Sequence, residues 1–178
     1  MMFKKSSLLL LILGMAFAVL PLSAEETKVD GLTLLGTGTV FTDLQSNSTL
    51  VMRGFHTKYK EPIVGMYVKQ NNKSVSFYMN AVNWDQLKQN LIKTRDQWET
   101  LSPTQFEWTG QVRGYRIGNE RSTLRVSMQG KTTLDSKRLD FSLTGGANTP
   151  TRVFISLTRN QVKMLVDEFY VVDALLRQ

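Results

Sequence analysis

His56 is the one histidine of the chain, and there is no cysteine, so few kinds of chemistry are open to it. A serine nucleophile needs a base. Any triad would depend on this single imidazole, which sits in "RGFHTKYK" (53–60) without a local carboxylate to orient it, and no G-x-S-x-G elbow occurs. A metal site would have to be built from carboxylate oxygens, and the D-x-D-x-D-G spacing of a calcium loop is missing. No metal or cofactor is therefore expected. Paired carboxylates could do glycosidase-type acid–base work. The candidates are Glu99 with Glu107, either side of Ser102-Pro103, and Asp167 with Glu168. Adjacent helical residues diverge by about 100°, and Glu107 points outward from its strand, so all four read as solvated surface. "GLTLLGTGTVF" (31–41) has two glycines spaced as in a dinucleotide-binding loop. The third glycine of that fingerprint is replaced by Phe41, and a polar turn follows where a helix should open. Glycine inside a strand marks a bend, a bulge or a close approach, so this stretch reads as a bent strand.

One further group of residues could bind. Residues directly opposite each other across antiparallel strands point to the same side, so apolar residues should oppose apolar ones. Val112 opposite Val126, Met128 opposite Leu139, Val126 opposite Phe141 and Phe141 opposite Ile155 satisfy this for the last four strands. Their core face then carries Trp108, Val112, Val126, Met128, Leu139, Phe141, Leu143, Val153 and Ile155. The far face brings Arg113 opposite Arg125, with Tyr115, Arg138, Asp140, Arg152 and Phe154 nearby. Opposed like charges repel unless an anion or a carboxylate lies between them. Arg113, Arg125, Tyr115, Arg152 and Phe154 are therefore the candidate binding residues, for an anionic group with an apolar flank. A solvated face screened by Glu107 or Asp140 is the simpler alternative.

The elements that must position these residues follow from periodicity. Strands are predicted at 32–42, 49–57, 63–69, 74–81, 105–117, 123–129, 138–144 and 152–157, several with clean alternation such as Leu139, Phe141, Leu143. Asn83 and Gln86 form a capping-box pattern before Trp84, Leu87, Leu91 and Trp98, with Asp85, Lys88, Lys93 and Asp96 on the other face. Thr158 and Gln161 form a second, before a stripe of Val162, Leu165, Val166, Phe169, Tyr170 and Leu176. Short turns favour antiparallel neighbours. The expected fold is α+β: a bent antiparallel sheet or half-barrel of about eight strands packed with two helices, in the order β4-α-β4-α. "LLGTGT" followed by "IVGMYV", then a strand and a helix, resembles the opening of the chalcone-isomerase-like domains over residues 32–98. An extra strand interrupts the likeness and the second half departs from that pattern, so nothing is carried over from it.

Compartment comes from the first 24 residues. Lys4 and Lys5 precede an uncharged apolar run, Leu8 to Leu20, and Leu22-Ser23-Ala24 precedes Glu25, the layout of a cleaved signal peptide. The run has 13 residues, short of the roughly 20 that span a bilayer. Cleavage would leave 154 of the 178 residues, expected as a single α+β domain over 25–178. Without the two signal lysines, 20 basic side chains face 15 acidic ones, and no basic run with interleaved aromatics suggests nucleic acid. An outer-membrane barrel would end on a strand, whereas this chain ends on a helical stripe, so no stable membrane insertion is expected after cleavage. The expected protein is periplasmic or secreted. Its expected function is non-catalytic binding of an apolar or anionic ligand or a partner protein. The alternative is a small exported hydrolase or isomerase using carboxylates or His56.

Overall fold

The computed structural model describes residues 31–101, 107–108, 122–129, 137–146 and 150–177. Four strands, β1 (Leu32–Asp43), β2 (Ser48–Thr57), β3 (Pro62–Gln70) and β4 (Lys73–Asn80), lead into α1 (Ala81–Asp96). A two-residue β5 (Glu107–Trp108), then β6 (Thr123–Gln129), β7 (Arg138–Gly145) and β8 (Thr151–Leu157), lead into α2 (Arg159–Leu175). The order is the expected one and all pairings are antiparallel.

The single eight-stranded sheet is not what forms. β1-β2-β3-β4 make one sheet, and β6-β7-β8 with the short β5 at the edge make another. Within each set the strands follow one another in sheet order, whereas α1 and the connection after it separate β4 from β5. The two sheets meet through their apolar faces. Leu50, Met66 and Phe77 of the first sheet share one core with Val126, Phe141 and Ile155 of the second, and with Leu87 of α1 and Leu165 of α2. β7 alternates strictly between buried and half-buried positions, as a strand with one covered face must. β2 instead is buried at nearly every position. One of its faces joins the common core, and the other carries Val51 and Phe55 into a separate cluster with Ile63, Tyr67 and Tyr78.

The edge of β8 is covered by side chains of the first sheet. Gln70 Oε1 accepts from the Phe154 N–H at 3.3 Å, and Asp43 Oδ2 accepts from the Ser156 N–H at 3.3 Å. Unpaired strand N–H groups are thus satisfied without another strand. Asn47 and Asn71, in the turns closing β1–β2 and β3–β4, take left-handed backbone (φ 48 and 53) and join through a 2.8 Å amide contact.

The glycine-rich β1 does bend. Its register with β2 shifts between Leu34 and Gly36 and again between Thr37 and Val40. The glycines also make room for α2. A Cβ at Gly36 would stand 2.7 Å from Leu175 Cδ2, and one at Gly38 would collide with Glu168 Oε1. Into this gap Glu168 extends its carboxylate, accepting from Thr39 N at 2.7 Å and Thr39 Oγ1 at 2.8 Å. Asp167 is exposed as expected, but Glu168 is buried, so its reading as solvated surface is corrected. The expected apolar stripe leaves Glu168 out, and its partner, Thr39, lies in the distant bulge of β1.

Both helices start with local chemistry. The capping box of Thr158 and Gln161 is present, with Gln161 Oε1 accepting from the Thr158 N–H at 2.9 Å. α1 begins three residues earlier than its expected cap: Asn80 is the N-cap, and its side chain accepts from Asn83 N. Val162, Leu165, Val166, Phe169 and Val172 are buried, while Tyr170 of the expected stripe is exposed. Lys137, fully buried, donates to Trp98 O and Glu99 O at 3.0 Å each, just past the C-terminal end of α1. A cation there also complements the helix dipole.

Candidate functional site

The outer face of the second sheet is set by two registers, both as the sequence predicts. Val126 faces Phe141 across β6–β7, and Phe141 faces Ile155 across β7–β8. The opposite side chains therefore form rows. Arg125, Ser142 and Phe154 make one; Thr123, Thr144 and Arg152 make the next; Ser127, Asp140 and Ser156 lie on the other side. With strands about 4.8 Å apart, Arg125 and Phe154 are separated by about 10 Å at their backbones. Arg125 and Arg152 are exposed, and Phe154 is 42% exposed, so a charged and aromatic surface faces outward. Arg152 leans across the rows: its Nε donates to Ser142 Oγ at 2.8 Å. Guanidinium, hydroxyl and ring are thereby gathered around the middle strand.

Arg113 and Tyr115 lie outside the described residues. The register that set Arg113 directly opposite Arg125 is not the one found, because Trp108 pairs with Val126 and Glu107 with Ser127. The expected pairing, Val112 with Val126, is displaced by four residues. A displacement by an even number leaves every side chain on its own face, so alternation alone could not exclude it.

Beside this face two carboxylates converge on one serine. Ser156 Oγ donates to Asp140 Oδ1 at 2.5 Å, while the Ser156 N–H donates to Asp43 Oδ2. Asp43 also accepts from Gln45 N at 3.0 Å and Ser46 Oγ at 2.6 Å. Burial opposes the charge on Asp43, but the hydrogen bonds from Ser46, Gln45 and Ser156 outweigh it and leave its pKa below the ordinary 3.8. Burial raises the pKa of Asp140, and the Asp43 charge adds to the effect. Ser156 and Arg138 offset only part of this. The two environments push the carboxyls apart.

The other candidates have structural partners. His56 is buried, and its Nε2 lies 3.2 Å from Leu176 O, so the imidazole holds the end of α2. Glu99 pairs with Arg159 at 2.7 Å on the surface; the Glu107 side chain lies outside the described residues. No group of three His, Cys, Asp or Glu that could hold a metal occurs among the described residues. No described helix is long and apolar enough to cross a membrane.

Two features escaped sequence reasoning. Lys88, expected on the free side of α1, bridges the helices through Asp85 at 2.9 Å and Asp173 at 2.8 Å. Asp173 also accepts from Trp84 Nε1 at 2.7 Å. These residues, with Pro62, Val64, Leu176 and Arg177, line a cleft of about 240 Å³. Burial opposes the Lys88 charge, yet Asp173 and Asp85 together hold its pKa above the ordinary value. The Lys88–Asp85 spacing of three is a local signal; Asp173, 85 residues away, is not. Arg53 is the second feature. It is 4% exposed, with its guanidinium 4.7 Å from the Tyr67 ring centre, and Tyr67 and Tyr78 share a 2.8 Å hydroxyl contact.

No protein-family model matches the chain, and no curated protein is significantly similar to it in sequence.

Proposed function

We propose that the chain is an exported, periplasmic or secreted, non-catalytic binding protein that takes an anionic group of a ligand or partner protein on the outer face of the second sheet. The observation carrying this is the row of Arg125, Ser142 and Phe154, with Arg152 drawn onto Ser142 from the next row. Two guanidiniums offer forked donors to a carboxylate, sulfonate or phosphate. Phe154 supplies the apolar flank. His56 and Glu168, which the hydrolase or isomerase alternative would recruit, are engaged with the Leu176 carbonyl and with Thr39.

The test uses naphthalene-1-sulfonate, an aromatic anion, titrated by calorimetry into the mature chain. Arg125→Glu and Arg152→Glu should each weaken binding about tenfold or more, since a hydrogen bond to a charged group contributes about 1.5–3 kcal/mol. The thermal midpoint should stay near that of the parent. Unchanged affinity in both variants would refute the proposal, and loss of a hydrolytic or isomerising activity in His56→Ala would favour the alternative.

A further inference from the structure

We propose that Asp140 gates this anion site by charge, so that acid opens it; the inference rests on the binding reading above. Asp140 stands on the same face and strand as Ser142, one row from Arg125 and Phe154 and two from Arg152. Side chains two residues apart on one strand are about 7 Å apart. An ionised Asp140 therefore repels any anion seated on Ser142 and the guanidiniums, and a neutral one does not.

The geometry also decides which carboxyl takes the proton. Asp43 accepts from three donors, Gln45 N, Ser46 Oγ and Ser156 N, all of which stabilise its charged form. Asp140 has the Ser156 hydroxyl. The charged groups acting on Asp140 are Asp43, from the end of β1, and Arg138, on its own strand. At its row β6 and β8 present the uncharged Ser127 and Ser156. Arg138 favours the ionised form and Asp43 the neutral one. With Asp43 ionised 3.3 Å from the Ser156 N–H, the proton taken up on mild acidification goes to Asp140. Asp43 thereby acts as a positioning residue, anchoring β8 and biasing its neighbour, without touching the ligand.

Naphthalene-1-sulfonate stays ionised throughout the titration, so any pH dependence belongs to the protein. From neutral pH down to the ordinary aspartate value of 3.8, at which its raised pKa leaves Asp140 mostly neutral, the parent should bind it about three- to tenfold more tightly, the size expected of one like charge at this distance in a partly solvated setting. Asp140→Asn keeps an oxygen for the Ser156 hydroxyl and removes the charge. It should bind at neutral pH as tightly as the parent binds in acid, with a flat profile. Ser156→Ala removes a donor that favours the ionised carboxyl, so its binding midpoint should move to higher pH with the amplitude kept. A parent-like pH profile in Asp140→Asn, or an unmoved midpoint in Ser156→Ala, would overturn the gate. If Arg152→Glu still weakens binding in that case, the site stands and the gate alone fails; if Arg152→Glu is silent as well, the site itself is wrong.

Discussion

Replacing Gly38 with alanine should destabilise the protein through one carboxylate. Gly38 does not use the left-handed backbone that favours glycine, so the substitution tests space rather than φ. The new Cβ would collide with Glu168 Oε1 and stand 3.2 Å from its Cδ, which forces the carboxylate out of the β1 bulge. Two hydrogen bonds then go, from Thr39 N at 2.7 Å and Thr39 Oγ1 at 2.8 Å. Hydrogen bonds to charged groups contribute about 1.5–3 kcal/mol each when well buried. Thr39 is exposed and its groups can turn to water, so about 2–3 kcal/mol for the pair is the reasoned cost. At about 2–4 °C per kcal/mol for a chain of this size, the thermal midpoint should fall by about 4–12 °C. Glu168→Ala should cost a similar amount. The decisive measurement is the double variant. With Glu168 gone, Gly38→Ala meets no obstacle and should be neutral, or stabilise by about 0.4–1 kcal/mol by restricting the unfolded chain. Chemical denaturation of the four proteins gives the coupling, expected at more than about 1 kcal/mol. Additive costs would refute the account of why glycine stands at this position.

Stability should also respond to pH through Asp43 and Asp140, with opposite signs. Asp140, its folded pKa raised, costs stability while ionised, and that cost is relieved as pH falls through its folded value; Asp43, its folded pKa lowered, stabilises above the ordinary 3.8 and loses this as pH falls further. Urea midpoints followed from neutral pH downward should show the rise on mild acidification vanish in Asp140→Asn and the deeper fall shrink in Asp43→Asn, and a rise that persists in Asp140→Asn would contradict the assignment. Lys88→Met should lower stability by about 1–2 kcal/mol, because Asp173 loses its cation in a partly buried setting. A urea midpoint equal to that of the parent would show that the bridge contributes nothing.

What could be read from the sequence divides along a physical line between local and distant partners. β1–β4, β6–β8 and the α2 capping box depend on neighbours a few residues apart, and they stand close to where alternation and spacing put them. Of the strand expected at 105–117, Glu107 and Trp108 form β5 and the rest lies outside the described residues. Val162, Leu165, Val166 and Phe169 of the α2 stripe are buried, while Tyr170 at its edge is exposed. The division into two sheets depends on whether β4 and β5 pair across α1, a question no local pattern addresses. Glu168 and Lys88 show the same limit at single residues. Each lies on its helix where periodicity allows a solvated side chain, yet each is held by a partner far along the chain, Thr39 or Asp173. Arg53 is hidden for another reason. Alternation identifies a face, and β2 is buried on both, so nothing separates a buried arginine from an exposed one.

The candidate site falls on both sides of that line. Arg125, Ser142 and Phe154 share a row because Phe141 is pinned between Val126 and Ile155 on the opposite face, and large apolar side chains leave little freedom for slippage there. The turn after β7 is short, so few registers compete. Between β5 and β6 the chain runs from Trp108 to Thr123, and such a long connection leaves several registers with identical facing. The register found sets Trp108, rather than Val112, opposite Val126. Facing alone therefore gives which residues look outward, and which of them stand opposite one another follows where a short turn or a run of matched apolar pairs also fixes the count. Arg152 meets both conditions, while Arg125 is held opposite Ser142 by the Val126–Phe141 and Met128–Leu139 pairs across the longer connection from Gln129 to Arg138, and so the proposed anion site rests on these two rather than on Arg113.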